Sequence, residues 1–242
     1  FEMEIIVDLF NQHSGDISEL NKLALSAHLA GADTIKIQIL NSKNIWGDDS
    51  RKYLELSYDD VYNFYSYCKN LNTRFIATVF DEEKLEWIVN LNVDRFKIAS
   101  LTSKTNPKLC EKILSYNKPT IISLGMHSNE EILNPPYGYD KNIKYLFCIS
   151  EYPTFLDNKK LKYIPESFNE CFFAGYSDHT VGISVALLAY LRNAQILEKH
   201  YSRNLLFQCG TEKAHLCSFT EDSLKNFKNL IKEFSILKET IK

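Results

Sequence analysis

The sequence predicts an α/β fold, a single (β/α)8 TIM barrel over residues 1–242 with no second domain. Three observations point there. Apolar, β-branched runs of about six to eight residues recur eight times along the 242 residues, and longer amphipathic stretches separate most of them. No linker, low-complexity tract or long charge block interrupts the alternation. An open, doubly wound sheet is the other arrangement of this pattern, but eight β-then-α units in this length favour the closed form.

The strand runs are 3–10, 34–40, 74–80, 95–100, 119–125, 143–150, 171–178 and 195–201. They are nearly continuous in apolarity, which is what a parallel strand covered on both faces requires. Among the helical stretches, 16–30 carries leucine and alanine at helical spacing and stops at Gly31. The stretch 57–70 opens with Ser57 as N-cap, three residues before Asp60; 81–90 follows the third strand; 107–116 places Pro107 in its first turn. Stretches 181–193 and 221–241 close the series. The connection after the fifth strand holds only one or two turns at 128–133 before Pro135-Pro136, and that after the sixth, 157–170, is irregular.

Composition narrows the function classes. Twenty-eight Lys and Arg against 31 Asp and Glu give a net charge of -3, which leaves no electrostatic footprint for nucleic acid or an anionic membrane. No window approaches the ~20 apolar residues of a membrane span, and the N-terminus lacks a signal pattern, so a cytoplasmic protein is expected. None of the six cysteines forms a CxxC pair, and they read as reduced, mostly buried thiols. Neither GxGxxG nor GxxxxGK[ST] is present, so dinucleotide and P-loop readings lack support.

The informative residues are the polar ones near the C-terminal ends of the strand runs: Asp8, Lys36 with Gln38, Thr78, Lys97 with Ser100, Ser123, Ser150 with Tyr152, Ser177-Asp178-His179 and Glu198-Lys199-His200. An ionisable group inside a barrel costs several kcal/mol unless it is paired or binds something. Lys36 and Lys97, with hydroxyls of Thr78, Ser100, Ser123 and Ser177, form a cradle for a phosphate or carboxylate. His179 and His200, on consecutive strands, are placed to share one divalent metal with water completing its shell. Each has a plainer reading: a strand lysine at a solvated edge, a histidine pair without HxH or HExxH spacing, serines and threonines that cap the next helix. His13, His28, His127 and His215 are weaker candidates.

At these residues the chain resembles the sialic acid synthase family. The segments IIVDLFNQHSGD (5–16), AGADTIKIQIL (30–40), FIATVFD (75–81), FKIAS (96–100), KPTIISLGMHSNEEI (118–132), CISEYPT (148–154), GYSDHTVGI (175–183) and ILEKHYS (196–202) are similar, in order, to that family's motifs. The resemblance implies a condensation of phosphoenolpyruvate with an acylamino sugar aldehyde, giving a sialic-acid-like 2-keto-3-deoxy sugar acid and phosphate. It implies that Lys36, Thr78, Lys97, Ser100, Ser123 and Ser177 bind phosphoenolpyruvate. His179 and His200 would hold a divalent metal, Mn or Mg, while Gln38, Tyr152 and Glu212 would contact the sugar. Asp8, Lys97 and Asp178 form the catalytic set, and a homodimer or a place as a partner subunit is expected.

The match has departures. The family's first-strand glutamate is Asp8, one methylene shorter, and its strand-four glutamate is Thr102, whose hydroxyl is a poor base. Gln12 replaces the loop asparagine, and Leu124 replaces a threonine. Family members usually carry a C-terminal antifreeze-like domain, which is not expected here. These departures motivate a second reading, a catalytically altered barrel that binds a phosphorylated or sugar-acid ligand within a glycan-pathway complex. A metal-dependent lyase or hydrolase is a third, fitting the histidines but not the lysine–serine cradle.

Overall fold

The computed structural model describes residues 2–10, 12–203, 205 and 214–241. Eight parallel strands close a barrel in chain order: β1 (Glu4–Asp8), β2 (Thr34–Ile39), β3 (Arg74–Val79), β4 (Phe96–Ile98), β5 (Thr120–Ser123), β6 (Ile143–Cys148), β7 (Phe173–Asp178) and β8 (Ile196–His200), with β8 pairing back onto β1. The helices are α1 (Ile17–Leu29), α2 (Ser42–Trp46), α3 (Tyr58–Asn70), α4 (Glu82–Asn90), α5 (Ser100–Thr105), α6 (Pro107–Ser115), α7 (Ser184–Leu191) and α8 (Glu221–Thr240). The closed form, not the open sheet, is therefore the one adopted. No helix among the described residues is long and apolar enough to cross a membrane.

Successive strand residues face opposite sides. Residues such as Ile5, Val7, Ile35, Ile37, Ala77 and Tyr176 pack against Leu20, Leu23, Phe64, Leu85, Val185 and Phe227 of the helical layer in one continuous core. Full burial of each such large aliphatic or aromatic side chain contributes about 1.5–3 kcal/mol. The barrel interior is tiered. At its base Glu4 pairs with Arg95 and accepts a 2.6 Å bond from Thr34. Above that lies a dry layer of Ile6, Ile76, Ile121, Leu146 and Ile196. The polar groups of the strand ends stand on top of it.

Several helix starts follow the sequence signals. Asp16 caps α1 through Ser18 and Glu19, Ser57 and Asp60 form a capping box on α3, and Pro107 opens α6. Gly175 is required by close approach, since a Cβ there would lie 1.9 Å from the Ile196 carbonyl oxygen. That contact sets β7 against β8 and brings Ser177 beside Glu198.

Other expectations are corrected. The strand expected over 95–100 ends at Ile98, and Ser100 begins α5 instead. The expected helix 181–193 is confined to Ser184–Leu191. After β5 the chain makes only one helical turn, closed by the Ile132 amide donating to the Ser128 carbonyl at 3.2 Å. The irregular connection after β6 carries two short 3-10 segments, Lys159–Tyr163 and Phe168–Glu170.

Candidate functional site

The C-terminal strand ends open into a cavity of about 360 Å³. Active sites of this architecture occupy that face, where loops from several strands converge. Lys36, Lys97, Ser123, Cys148, Ser177 and Glu198 form part of its wall, with Asp8, Gln38, His179 and His200.

The floor holds a buried charge network. The Lys36 ammonium lies 2.8 Å from Asp8 and 3.1 Å from Glu198, while Lys97 lies 3.7 Å from the other oxygen of Glu198. Lys97 donates to Ser123 Oγ at 2.8 Å and to the Ile98 carbonyl at 3.0 Å. Ser177 donates to Glu198 at 3.0 Å, and Gln38 donates to Asp8 at 2.8 Å. Burial alone would lower the Lys36 pKa, but the two carboxylates outweigh it and raise it above the ordinary lysine value. Lys97 behaves oppositely: burial, with Lys36 repelling its charge, brings it down to about 8 despite Glu198. Glu198 is held near 2, because the lysines overcome the burial that would raise it.

The histidines stand above this floor. Their ring centroids are 5.5 Å apart, and Tyr152 packs on both, 4.2 Å from His179 and 5.9 Å from His200. His179 Nδ1 lies 2.7 Å from the Ile149 carbonyl, which only accepts, so that nitrogen carries a proton and, in the neutral ring, Nε2 carries the lone pair. Among the described residues, the buried Nδ1 of His200 has no hydrogen-bond partner. Burial depresses His200 to about 4, so the ring is neutral near pH 7. Burial also opposes charge on His179, but Cys148 and the Ile149 carbonyl raise its pKa.

The rim is apolar and aromatic. Phe10, Ile45, Trp46, Phe80, Leu101 and Met126 line it, joined by Arg51. Gly125 lies under this side, donating its amide to Ser100 Oγ at 2.9 Å; a Cβ there would meet Ser150 and Cys148 within 2.9 Å.

The structure brings together Asp8, Lys36, Gln38, Lys97, Ser100, Ser123, Tyr152, Ser177, His179 and His200 in one cavity. Thr78 is buried in register with Gln38 and Lys97, its hydroxyl without a partner among the described residues, but it does not line the cavity wall. Asp178 is a correction. Ser177 and His179 line the cavity, so strand alternation turns the residue between them outward. There Asp178 pairs with Lys199 at 2.7 Å and accepts from the Thr180 amide and hydroxyl, away from the cavity. Thr102 is buried in α5 and does not line the cavity either. Glu212 lies outside the described residues.

Glu198 is the central residue to which the sequence reading, though it placed Glu198 among the strand-end polar groups, gave no role. The signal was available: it stands two residues before His200 and so shares its face of β8. Arg51, Trp46 and Ile45 had no such signal, because Ile45 and Trp46 end the five-residue α2, Arg51 follows in the loop after it, and no periodicity gives that path.

Comparison with known proteins places this geometry in a family. The chain is 30% identical over 257 residues to the N,N'-diacetyllegionaminic acid synthase of Legionella pneumophila, covering 95% of this chain and 71% of that protein. It is 28% identical to the N-acetylneuraminate-9-phosphate synthase of Mus musculus, covering 88% and 65%. The solved structure of the N-acetylneuraminic acid (sialic acid) synthetase of Leptospira borgpetersenii superposes with a TM-score of 0.87 at 27% identity, over 98% of this chain and 85% of that one. The chain spans between 59% and 71% of the length of the curated relatives it matches. With residues 23–241 matching the NeuB family, and sialic, legionaminic and pseudaminic acid synthases among its relatives, the chain belongs to the NeuB family.

Proposed function

We propose that this chain condenses phosphoenolpyruvate with an acylamino sugar aldehyde, giving a 2-keto-3-deoxy sugar acid and phosphate. The observation that carries the reading is the pair of buried lysines bridged by Glu198 beneath two histidines in one cavity. In this reading Lys36 and Lys97, with Ser100, Ser123 and Ser177, hold the phosphate and carboxylate of phosphoenolpyruvate through charge-assisted hydrogen bonds. Glu198 fixes the ammonium groups, and Gln38 and Tyr152 face the sugar. The new carbon–carbon bond joins C3 of the enol phosphate to the aldehyde carbon. Water then adds at C2 and phosphate leaves with its bridging oxygen. Asp8, held by Lys36 and Gln38, is the cavity carboxylate that takes the proton of that water.

The residues present fit a divalent ion such as Mn or Mg. The His179 Nδ1 is held by a backbone carbonyl, the arrangement that metal-ligating histidines favour, and His200 is neutral with a buried nitrogen that lacks a partner among the described residues. No group of three or more His, Cys, Asp or Glu suited to a metal occurs among the described residues, so water and substrate would complete the shell of an ion held by His179 and His200. Bound there, a divalent ion supplies Lewis-acid polarisation of the aldehyde oxygen.

Phosphate release from phosphoenolpyruvate tests the reading: it is expected only when an acylamino sugar aldehyde and a divalent metal are both present. No release across a panel of such hexoses would sink it. A second reading, a binding barrel with altered catalysis, is favoured by one observation, the buried Thr102 where the family has glutamate. Ligand-induced stabilisation without turnover, persisting in Thr102→Glu, would support it.

A further inference from the structure

We propose that Asp178 and Lys199, an ion pair behind the barrel wall, are positioning residues that set the separation of His179 and His200, and with it the affinity for the divalent ion the histidines would share. The inference rests on the metal reading of that site and gives a role to two residues outside the cavity lining.

Each member of the pair stands one residue before a histidine. The β7–β8 register runs from Gly175↔Ile196 to Asp178↔Lys199, so His179 is the first residue beyond the last pair of that ladder. His200 is held from its other side, opposite Asp8 of β1. The β7–β8 ladder thus stops where the two rings must be kept at one distance, and a side chain takes over. Lys199 donates to Asp178 at 2.7 Å and, past His179, to the Thr180 carbonyl at 2.7 Å. Asp178 accepts in turn from the Thr180 amide at 2.7 Å and from its hydroxyl at 2.6 Å. His179 therefore lies between two residues that one ammonium ties to β8, next to His200.

The backbone around the rings is pinned to match. The His179 carbonyl accepts from the Thr154 amide and the His200 carbonyl from the Phe219 amide, each at 2.7 Å. Phe219 also lays its ring 5.6 Å from the Lys199 ammonium, which joins the hold on His200 to the pair. Both side chains of the pair are fully buried. A buried ion pair is often no more stabilising than apolar side chains of its size. What it adds here is direction: a methionine could fill the space of Lys199, but it could not aim at the Thr180 carbonyl. The pair is also neutral as a whole, so its effect on a bound cation is separable from that of charge.

The test is Mn binding by calorimetry in Asp178→Asn/Lys199→Met, which keeps the net charge of the pair and nearly its volume while removing the Lys199 bridge. This variant is expected to bind Mn roughly five- to tenfold more weakly than the wild type, the scale of losing a contact that orients a ligand. In a His179→Ala background the same two changes should alter Mn affinity by less than about twofold, because no separation is left to set. Equal losses in both backgrounds, or no loss in either, would overturn the inference and leave the metal reading standing. Lys199→Met alone separates position from charge. Removing a positive charge near a cation tightens Mn binding if charge is the role, whereas lost positioning weakens it, so tighter binding would also overturn the inference. A measurement on the wild type covers variants that do not fold. Saturating Mg should slow hydrogen exchange at the Thr180 amide, the donor to Asp178, by about fivefold or more, since binding and positioning are linked reciprocally. An unchanged rate would sink the inference. Absence of Mn binding by the wild type would instead sink the metal reading, and this inference with it.

Discussion

The two ends of the barrel each bury charge, and they do so differently. At the base, Glu4 is enclosed by Arg95, Thr34 and Arg74, and its carboxyl is pulled below the ordinary value, these partners outweighing its burial. At the mouth, Lys36, Lys97, Asp8 and Glu198 are buried more deeply than the half-buried Glu4 and Arg95, yet Glu198 Oε2, Thr78 Oγ1 and His200 Nδ1 have no hydrogen-bond partner among the described residues. Orphaned buried polar atoms each cost about 1–3 kcal/mol. A base whose donors and acceptors meet one another is structural; a mouth whose groups do not is shaped around something else. The dry layer of Ile6, Ile76, Ile121, Leu146 and Ile196 keeps the two networks apart.

Single substitutions should separate the two ends. Lys97→Met at the mouth is expected to lower phosphate release by about 10³-fold, the scale of losing a preorganised charge-stabilising donor, while the chain stays folded by circular dichroism. A loss below tenfold would remove Lys97 from the chemistry. Glu4→Ala at the base should act in reverse, costing roughly 3 kcal/mol in urea unfolding by stranding Arg95, with kcat within twofold of wild type.

Acid sharpens the contrast. Glu198 is held near 2 in the folded chain against 4.5 unfolded, so the unfolded chain binds the proton first as pH falls. The stability tied to Glu198 is full above about 4.5 and is lost as pH drops towards 2, an amount on the order of 3 kcal/mol. Unfolding free energies from pH 5 to pH 2.5 should fall less steeply in Glu198→Gln than in the wild type; parallel curves would contradict the network. The smallest effect is at the histidines above the floor. His179→Ala should weaken Mn binding about tenfold, read by calorimetry, and leave urea stability nearly unchanged.

Much of this contrast was legible in the sequence, for a physical reason. Strands covered on both faces must be apolar throughout, so Lys36, Lys97 and His200 stand out as breaks in those runs. The same two-residue period that makes the breaks visible also argues against Asp178, since Ser177 and His179 cannot share a face with it. It likewise argues for Glu198 beside His200. Short elements were less readable. Helix α5 is SLTSKT, too polar and too short to show an apolar stripe, and α2 spans only five residues. Arg51 reaches the cavity through the hydrogen bonds of Ser42, and a network of that kind leaves no periodic trace.

The seam where β8 meets β1 has a consequence for how the molecule comes into being. Asp8 and His200 sit opposite one another in that pairing, so two walls of one cavity come from positions almost two hundred residues apart in the chain. Contacts of such long separation carry a high loop-closure cost and form late in folding. The capacity to bind should therefore emerge only with the last strand, making ligand affinity a report on the whole chain's cooperative closure.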